Sequence, residues 1–268
     1  LRFSSCTISV VMLKQITPLI LTYNEGPNIK QTLERLRWAD DIVVVDSFSN
    51  DDTMEIVGQY KQARVLKRHF STISDQWNFG LTEGRINTEW VLSLDADYVL
   101  TDEFVEELKN LRPNSGIDGY QARFIYCIQG KRLRSGIYPP VTVLFRKTKS
   151  SYTSDGHTQR VVINGEVRAL ESAILHDDRK PLNRWFEAQK RYSELEARKL
   201  LTTDSKMLNW KDRMRKWRVV APPAMFFYCL ILRGGILDGW AGFYYAFQRT
   251  YAELLLSLRL LEARQTRK

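Results

Sequence analysis

Short apolar runs without charges alternate, over the first hundred residues, with segments in which apolar side chains recur every three or four positions. The runs cover 16–21, 42–45 and 91–94, and a polar residue follows each of them. Continuous apolar runs of this length are typical of strands covered on both faces, and the three-to-four spacing is typical of the covering helices. The pattern predicts an α/β domain with a mostly parallel central sheet and flanking helices.

The helical spacing and the turn residues around it predict where the first helices lie. They are expected to open at Gly26-Pro27-Asn28, to cover 54–60, to run from 74 toward 85, and to cover 103–111. Pro at the first helical turn is tolerated because its missing N–H has no partner there, and Ser74 is the expected N-cap of the third helix.

The second half of the chain changes pattern. Strands are expected over 120–128 and 141–145, and a hairpin over 161–167 with a type I′ turn at Asn164-Gly165. A long helix is expected over about 181–201, with Pro181 in its first turn.

Acidic and amide side chains follow the buried runs of the first half. Asn24-Glu25 follows the first run, Asp46 the second, and Asp95-Ala96-Asp97 the third. Carboxyl ends of parallel strands meet at one edge of a sheet, where open α/β sheets bind ligands, so we expect these side chains to share a cleft. Carboxylates spaced in this way suit a divalent cation, and the alternative is a capping turn in which they bond backbone amides. Neither a dinucleotide fingerprint nor a P-loop is present.

Composition narrows the class of protein. Hydrophobic residues make up 44% of the 268 positions, which excludes a disordered chain, and the net charge of +9 requires an anionic partner. The three cysteines lie far apart, which suits a reducing compartment. Residue 1 is Leu, so residues 1–15 are interpreted as an extension that includes a mis-annotated start, with Met12 close before the first strand.

The last quarter of the chain is first basic and then apolar. Residues 179–218 contain 13 Lys and Arg against 5 Asp and Glu, residues 219–232 carry no charge, and an apolar, aromatic-rich helix is expected over 240–261. The uncharged stretch is too short to cross a bilayer as one helix. The pattern predicts an interfacial or re-entrant membrane anchor, and the alternatives are a helical hairpin packed on the preceding domain or a dimer interface. A nucleic-acid-binding domain is disfavoured because the positive charge adjoins an apolar segment.

Three sequence motifs resemble those of family 2 glycosyltransferases with the GT-A fold. They are Thr-Tyr-Asn-Glu at 22–25, the strand ending at Asp46 with its Ser/Asn/Asp-rich loop, and Asp95-Ala96-Asp97. The later segments, including Gly234-Gly235 and Asp238-Gly239, resemble bacterial enzymes of the lipopolysaccharide-core β-glucosyltransferase type. The resemblance implies a GT-A catalytic domain over 16–180, with a nucleotide-binding half (16–100) and an acceptor half (101–180). A helical, membrane-associated segment over 181–268 would follow it.

The resemblance also implies roles for the side chains at the strand ends. The nucleotide pocket would be lined by Thr22, Tyr23, Asn24 and Glu25. Asp46 would accept a hydrogen bond from the base, Asp95 would face the ribose or the metal, and Asp97 would ligate Mg²⁺ or Mn²⁺. The metal would bridge the diphosphate of a nucleotide-sugar donor, and a UDP-sugar is the favoured donor.

The residue that removes the proton from the acceptor hydroxyl is left open between two positions. Members of the family often carry a His-Glu pair where this chain has His157-Thr158, so Asp155 and His157 are both candidates and Asp155 is favoured. The alternatives are that Asp155 is a turn residue before Gly156, and that His157 orients a neighbour or contacts phosphate.

His176 follows an apolar strand and precedes a charged stretch. It would complete the metal shell, while Arg179 and Lys180 would hold the diphosphate. The alternative for His176 is a hydrogen-bonded structural role. His69, which has no evident partner in sequence, is interpreted as a surface residue.

The expected activity is therefore an inverting, metal-dependent glycosyl transfer of the hexosyltransferase type. The acceptor would be a cell-envelope glycan or glycolipid such as lipopolysaccharide core, and the enzyme would sit peripherally on the inner face of the cytoplasmic membrane. A homodimer is an open alternative for the apolar segment, and no nucleic-acid partner is expected. The alternative function is a nucleotide-binding scaffold of a glycan-assembly complex, with Thr158 marking a lost base.

Overall fold

The computed structural model describes residues 12–113, 116–155, 158–204, 206–208 and 210–265. The chain forms two compact units. The first contains the chain up to Gln129 together with Tyr138–Arg179, and the second contains Gly130–Ile137 and the chain from Lys180 onward. The grouping of Gly130–Ile137 with the second unit is a long-range association that no sequence pattern indicated.

The strands lie mainly in the first unit. In chain order they are β1 (Ile16–Thr22), β2 (Ile42–Asp46), β3 (Ala63–Lys67), β4 (Trp90–Asp95), β5 (Tyr98–Leu100), β6 (Ile117–Ile128), β7 (Lys131–Arg132, in the second unit), β8 (Val141–Arg146), β9 (Ser150–Asp155), β10 (Thr158–Ile163) and β11 (Glu166–His176). The main sheet has the order β3-β2-β1-β4-β8-β6-β11-β5. The pairs β3-β2, β2-β1, β1-β4 and β6-β11 are parallel, whereas β4-β8, β8-β6 and β11-β5 are antiparallel. The predicted α/β fold with a mostly parallel sheet is confirmed.

Helices cover the faces of this sheet. They are α1 (Gly26–Glu34), α2 (Thr53–Val57), α3 (Ile73–Glu83) and α4 (Asp102–Asn110). On α1 and just after it, the apolar side chains of Ile29, Leu33 and Leu36, three or four positions apart, are completely buried. They pack in one cluster with Ile20 and Leu94 from the central strands, so the helical spacing and the apolar runs identify the two sides of one core.

Two local predictions in this unit are wrong. Thr72, and not Ser74, caps α3, since its side chain accepts a hydrogen bond from Asp75 N at 3.1 Å. The hairpin expected around Asn164-Gly165 does not form, because β10 pairs with β9 and β11 pairs with β6.

The apolar side chains of β10 and β11 explain why these strands separate. Val161 and Ile163 of β10 pack on a cluster that contains Trp77, whereas Leu170 and Ile174 of β11 belong to the main core. Burial in two different clusters outweighs the local turn preference of Asn-Gly.

The second unit is helical. Its elements are β7, α5 (Leu182–Thr202), α6 (Trp210–Arg215), α7 (Ala221–Phe227), a π-helical turn (Tyr228–Leu232), a 3₁₀ turn (Gly235–Asp238) and α8 (Trp240–Gln265). α5 packs against α8, and so does α7. Pro222 and Pro223 occupy the first turn of α7, where they cost no helical hydrogen bond. Among the helices in the described part of the chain, none has both the length and the apolar character of a membrane-spanning helix.

Candidate functional site

The carboxyl ends of β1, β2 and β4 lie side by side. In the sheet Thr22 is opposite Asp46, and Leu21 is opposite Asp95. The expectation that these strand ends converge at one edge is confirmed. The edge therefore presents a row of carboxylate and hydroxyl groups, the type of surface that binds a polar ligand in an open α/β sheet.

Asp46 holds the loop that follows β2. It is completely buried and accepts hydrogen bonds from Thr22 Oγ1 (3.2 Å), Ser49 N (3.0 Å) and Ser49 Oγ (2.5 Å). A buried carboxylate is stable only when such donors surround it. An ionised carboxylate accepts about four hydrogen bonds, so these three leave one acceptor position unfilled by the bonds named here.

Asn24 links the loop after β1 to the loop after β2. Its Oδ1 accepts a hydrogen bond from Asn50 N at 2.7 Å, and its own N–H donates to Ser49 Oγ at 2.8 Å. Its φ of 56° lies in the left-handed region, which Asn tolerates better than most residues. Tyr23, the residue before Asn24, is 56% exposed.

Glu25 caps the start of α1. Its N–H donates to Thr53 Oγ1 at 2.7 Å, and its Oε2 accepts from Asn28 Nδ2 at 2.9 Å. A Cβ at Gly26 would lie 1.7 Å from Asp52 Oδ1, so a larger residue here would require the side chain of Asp52 to move. The loop after β2 therefore packs directly on the start of this helix.

Asn28, which sequence reasoning did not single out as a site residue, is a buried hydrogen-bonding hub. Besides Glu25, its amide Nδ2 donates to Asp178 Oδ1 at 2.9 Å, and its Oδ1 accepts from Arg179 N at 2.8 Å. The partners lie 150 and 151 residues away along the chain, so no local pattern reveals them. Asn28 fixes the segment after β11 to the start of α1.

Asp97 and His176 are brought together by strand pairing. β5 pairs with β11 so that Tyr98 is opposite His176, and Asp177 N donates to Asp97 O at 3.0 Å. His176 Nε2 consequently lies 3.2 Å from Asp97 Oδ2. Burial tends to lower the pKa of His176, but the charge and hydrogen bond of Asp97 outweigh it, so that the pKa is raised.

Aromatic rings enclose the imidazole of His176. The rings of Tyr98, Tyr126 and Tyr138 meet it edge-on, with centroid distances of 5.5, 4.8 and 4.7 Å. Tyr98 Oη and Tyr138 Oη are 2.6 Å apart, and burial is the main cause that raises the pKa of Tyr98. These rings orient the imidazole toward Asp97.

The donor set at Asp97 and His176 fits a divalent cation in part. A carboxylate oxygen and an imidazole nitrogen are both ligands of Mn²⁺-type ions, and His176 Nδ1 is buried with no hydrogen-bond partner among the described residues. Within the described ranges, no group of three or more His, Cys, Asp and Glu side chains is arranged to hold a metal. Asp95 thus does not complete a three-residue cluster with them, and phosphate and water oxygens would have to fill the other positions.

The two cations expected to hold the diphosphate are placed differently. The guanidinium of Arg179 pairs with buried Asp177, with Nη2–Oδ2 and Nε–Oδ2 distances of 2.7 and 2.9 Å. Arg179 ends the first unit, whereas Lys180 belongs to the second. The structure therefore places Arg179 beside the Asn28 hub.

Of the two candidate bases, only the backbone of Asp155 is described. Asp155 is the last residue of β9 and is opposite Thr158 in the register of β9 and β10. The side chain of Asp155 and the whole of His157 lie outside the described residues.

Phe48 and His69 form a stacked pair at the same sheet edge. Their centroids are 4.0 Å apart with an interplanar angle of 18°. The ring of Phe48, in the loop after β2, is 44% exposed, and its φ of 63° is rare for a bulky residue. His69 is exposed, as predicted, but the sequence did not indicate that it stacks on Phe48. A positive φ leaves no signal in the sequence when the residue is not Gly, Asn or Asp.

Comparison with protein families decides the class. Residues 19–165 match the family described as glycosyl transferase family 2. The chain belongs to this family. The protein is thus a glycosyltransferase, and its α/β fold is of the GT-A type. The match includes the strand ends from Thr22 to Asp97 and stops before His176.

Curated relatives of this glycosyltransferase are bacterial. An uncharacterized glycosyltransferase of Rickettsia felis is 23% identical over 94% of this chain and 91% of its own length. Another from Rickettsia bellii is 25% identical over 95% of this chain and 89% of its own. These proteins share the general activity in name and leave donor and acceptor unspecified.

Solved structures resemble the glycosyltransferase more distantly. One is glucosyl-3-phosphoglycerate synthase from Mycobacterium tuberculosis in complex with Mn²⁺, UDP and phosphoglyceric acid. It has a TM-score of 0.47 and 14% identity, and covers 71% of this chain and 80% of that chain. Another is S. aureus TarS 1-349 in complex with UDP-GlcNAc, with a TM-score of 0.45, 13% identity, and 94% and 92% coverage. TM-scores of this size are too low to transfer residue roles.

Proposed function

We propose that this glycosyltransferase transfers a hexose, with inversion, from a UDP-sugar to a cell-envelope glycan or glycolipid such as lipopolysaccharide core. The observation that carries the donor half is the meeting of three strand ends, with Thr22 opposite Asp46, Leu21 opposite Asp95, and Asp97 3.2 Å from His176. One edge thus offers hydrogen-bond acceptors for a base and ribose beside a carboxylate–imidazole pair for a metal.

The nucleoside would bind at the loops after β1 and β2. Asp46 would accept an N–H from a base with its remaining lone pair, and exposed Tyr23 follows Thr22, the residue opposite Asp46 in the sheet. The Asn24–Asn50 and Asn24–Ser49 hydrogen bonds hold these loops in place before the ligand arrives. Such preorganisation reduces the entropy lost on binding.

The diphosphate would bind at the other end of the edge. Asp97 and His176 would hold a Mg²⁺ or Mn²⁺ ion, with Asp95 facing the ion or the ribose. When bound, the ion stabilises charge on the departing nucleoside diphosphate. Asn28 keeps the strand end that carries His176 in register with Asp97 through its hydrogen bonds to Asp178 and Arg179.

The acceptor half would supply the base. Asp155 or His157 would take the proton of the acceptor hydroxyl while its oxygen attacks the anomeric carbon from the face opposite the diphosphate. One bond to the anomeric carbon forms as the bond to the diphosphate oxygen breaks, which inverts the configuration.

The experiment is a donor screen with the full chain. We expect the protein with Mn²⁺ and an envelope glycolipid extract to convert at least one UDP-sugar to a product detected by mass spectrometry, and EDTA to abolish the reaction. Asp97→Asn should weaken Mn²⁺-dependent donor binding, measured by calorimetry, by at least about tenfold. Asp40→Asn, at an exposed position of the same unit, is the matched control and should bind as the wild type does.

Two results would contradict the proposal in different ways. Nucleotide binding without turnover of any donor would favour the scaffold function. Donor binding that is independent of metal and unchanged in Asp97→Asn would remove Asp97 from the metal site while leaving the nucleotide pocket in place.

A further inference from the structure

The turn between α7 and α8 exposes a compact set of aliphatic side chains. In this turn, 228–239, the buried residues are Cys229, Leu230, Gly235 and Asp238. The exposed ones are Ile231 (60%), Leu232 (76%), Ile236 (55%) and Leu237 (73%). Gly234 (φ 72°) and Gly239 (φ 62°) have positive φ values, which allow the chain to turn sharply at these positions. The pairs Ile231-Leu232 and Ile236-Leu237 therefore lie in the same short turn. Four large aliphatic side chains left in water within seven residues indicate a binding surface.

A basic loop from elsewhere in the chain is attached to this turn. Arg134 N, Ser135 N and Ser135 Oγ donate to the carboxylate of Asp238 at 3.0, 3.0 and 2.7 Å. Arg233 Nη2 donates to Gly136 O at 3.1 Å. The loop 130–137 is thus held against the turn, although the bonded residues are about a hundred positions apart.

The two segments together are strongly cationic on their exposed side. Four exposed cations lie in 130–137 and 228–240: Lys131, Arg132, Arg134 and Arg233. Asp238 is the one acidic residue of these segments, and it is 4% exposed with its oxygens occupied by the loop. The cations match the anionic headgroups of a lipid surface, and the aliphatic side chains match the acyl layer beneath the headgroups. Neither segment has an exposed acid that would oppose this binding.

Exposed aromatic residues also lie in the turn and in the parts of α7 and α8 that adjoin it. They are Phe227, Tyr228, Trp240, Phe243, Tyr244 and Phe247. Lys131 Nζ lies 5.9 Å from the ring of Trp240, so a cation and an amphipathic ring stand together beside the turn. Trp and Tyr are favoured at the headgroup level of a bilayer, where one part of the ring is apolar and the other is hydrated.

We propose that the turn 228–239 and the loop 130–137 form one docking tip for a membrane surface that contains anionic lipids. The four aliphatic side chains enter the boundary between headgroups and acyl chains, and the four cations bind lipid phosphates. A second copy of the chain fits the tip less well, because a two-fold interface would bring the cations of both copies together. The proposal goes beyond the glycosyl transfer and does not depend on it.

The test is vesicle binding by the full chain. We expect the protein to bind vesicles of phosphatidylcholine with 30% phosphatidylglycerol and to bind pure phosphatidylcholine much more weakly, measured by co-sedimentation. The double variant Leu232→Glu/Leu237→Glu should lower binding by at least about a hundredfold. Lys131→Gln/Arg132→Gln should lower binding to the anionic vesicles by about thirtyfold.

Matched variants in the first unit control for general changes in apolarity and charge. Val65→Glu/Val162→Glu and Lys30→Gln/Lys61→Gln, at exposed positions, should bind vesicles as the wild type does. Nucleotide binding by calorimetry and the melting temperature should be unchanged in the tip variants, which shows that they fold and that the donor pocket is intact.

Three results would overturn the proposal. Absence of wild-type binding to the anionic vesicles is one, and unchanged binding in both tip variants is another. The third concerns the oligomeric state, measured by sedimentation velocity. If the wild type is a dimer, and Leu232→Glu/Leu237→Glu converts it to monomers without changing vesicle binding, the tip is an interface between copies of the chain.

Discussion

At the scale of single residues, the candidate site is built from side chains in unusual backbone conformations or with distant partners. Asn24 and Phe48 both have φ values near +60°, and they lie in the loops after adjacent strands. Asn tolerates this region because its side chain can hydrogen-bond locally, whereas for Phe the conformation costs about 1–2 kcal/mol. Phe48 is 44% exposed and stacks on His69, so burial and ring contact offset this cost only in part.

Phe48→Gly should separate stability from binding. Removal of the strained side chain should leave the free energy of unfolding unchanged or raise it by up to about 1 kcal/mol, since Gly adopts this φ freely. Loss of the exposed ring next to Asp46 should weaken nucleotide binding severalfold in calorimetry. Phe70→Gly, at a nearby exposed position without a positive φ, should not stabilise the chain. A destabilised Phe48→Gly with normal nucleotide affinity would show that the ring is only structural.

Asn28→Ala should loosen the link between α1 and the segment after β11. The variant loses hydrogen bonds to Glu25, Asp178 and Arg179 and leaves buried polar groups unsatisfied, so the free energy of unfolding should fall by about 2–3 kcal/mol in urea denaturation. Asn110→Ala removes an exposed amide on α4 and should cost less than about 0.5 kcal/mol. If both substitutions lower the free energy of unfolding by the same amount, the buried hydrogen bonds of Asn28 do not hold the two segments together.

At the scale of elements, strand pairing and helix packing decide which charges meet. Arg215 of α6 lies among three buried acids, with distances of 3.2 Å to Glu196, 3.0 Å to Glu253 and 3.6 Å to Asp212. Burial tends to lower the pKa of Arg215, but these acids outweigh it and raise it. The cluster joins α5, α6 and α8 by charge as well as by the apolar contacts of Leu200 and Leu256.

Arg215→Met should destabilise the second unit. Removal of the cation leaves buried carboxylates without their main partner, so the unfolding free energy at pH 7 should fall by about 3–5 kcal/mol. Arg198→Met, on an exposed position of α5, should change stability by less than about 0.5 kcal/mol. Equal losses in the two variants would exclude the role of the cluster.

At the scale of the whole molecule, the second unit includes a short segment from the middle of the chain. The segment Gly130–Ile137 leaves the first unit and joins the 3₁₀ turn through Asp238 and α8 through Tyr245, whose Oη accepts from Ile137 N at 2.8 Å. Neither unit is therefore a continuous piece of sequence. Cutting the chain near residue 180 would leave 130–137 without its partners.

Asp238→Asn should weaken this connection in a pH-dependent way. Burial tends to raise the pKa of Asp238, but hydrogen bonds from Ser135 and Arg134 outweigh it, so the folded-state pKa lies below the ordinary value of 3.8. The carboxylate therefore stabilises the fold above pH 3.8, and this contribution is lost as the pH falls through the folded-state pKa. We expect Asp238→Asn to lose about 1–3 kcal/mol at pH 7 in thermal unfolding, and the difference from the wild type to shrink below pH 3.8. A difference that stays constant down to pH 2 would contradict the role of the charge.

The sequence by itself determined the class of fold and most of the donor side of the site. The apolar runs predicted β1, β2 and β4, and the acids that follow them were expected at one sheet edge, because alternation of strand and helix forces parallel pairing. The long helices α5 and α8 were also predicted, since apolar spacing over many turns is a strong signal.

Only the tertiary structure decided which distant residues meet. His176 contacts Asp97 because β5 pairs with β11, Asn28 binds the segment after β11, and Asp238 captures the loop 130–137. The expected hairpin at Asn164-Gly165 was wrong for the same reason, because burial in separate clusters outweighed the local turn preference. Local sequence specifies backbone preference and the apolar face of each element. Contacts between residues about a hundred positions apart depend on how those faces pack, and that is set by the whole chain at once.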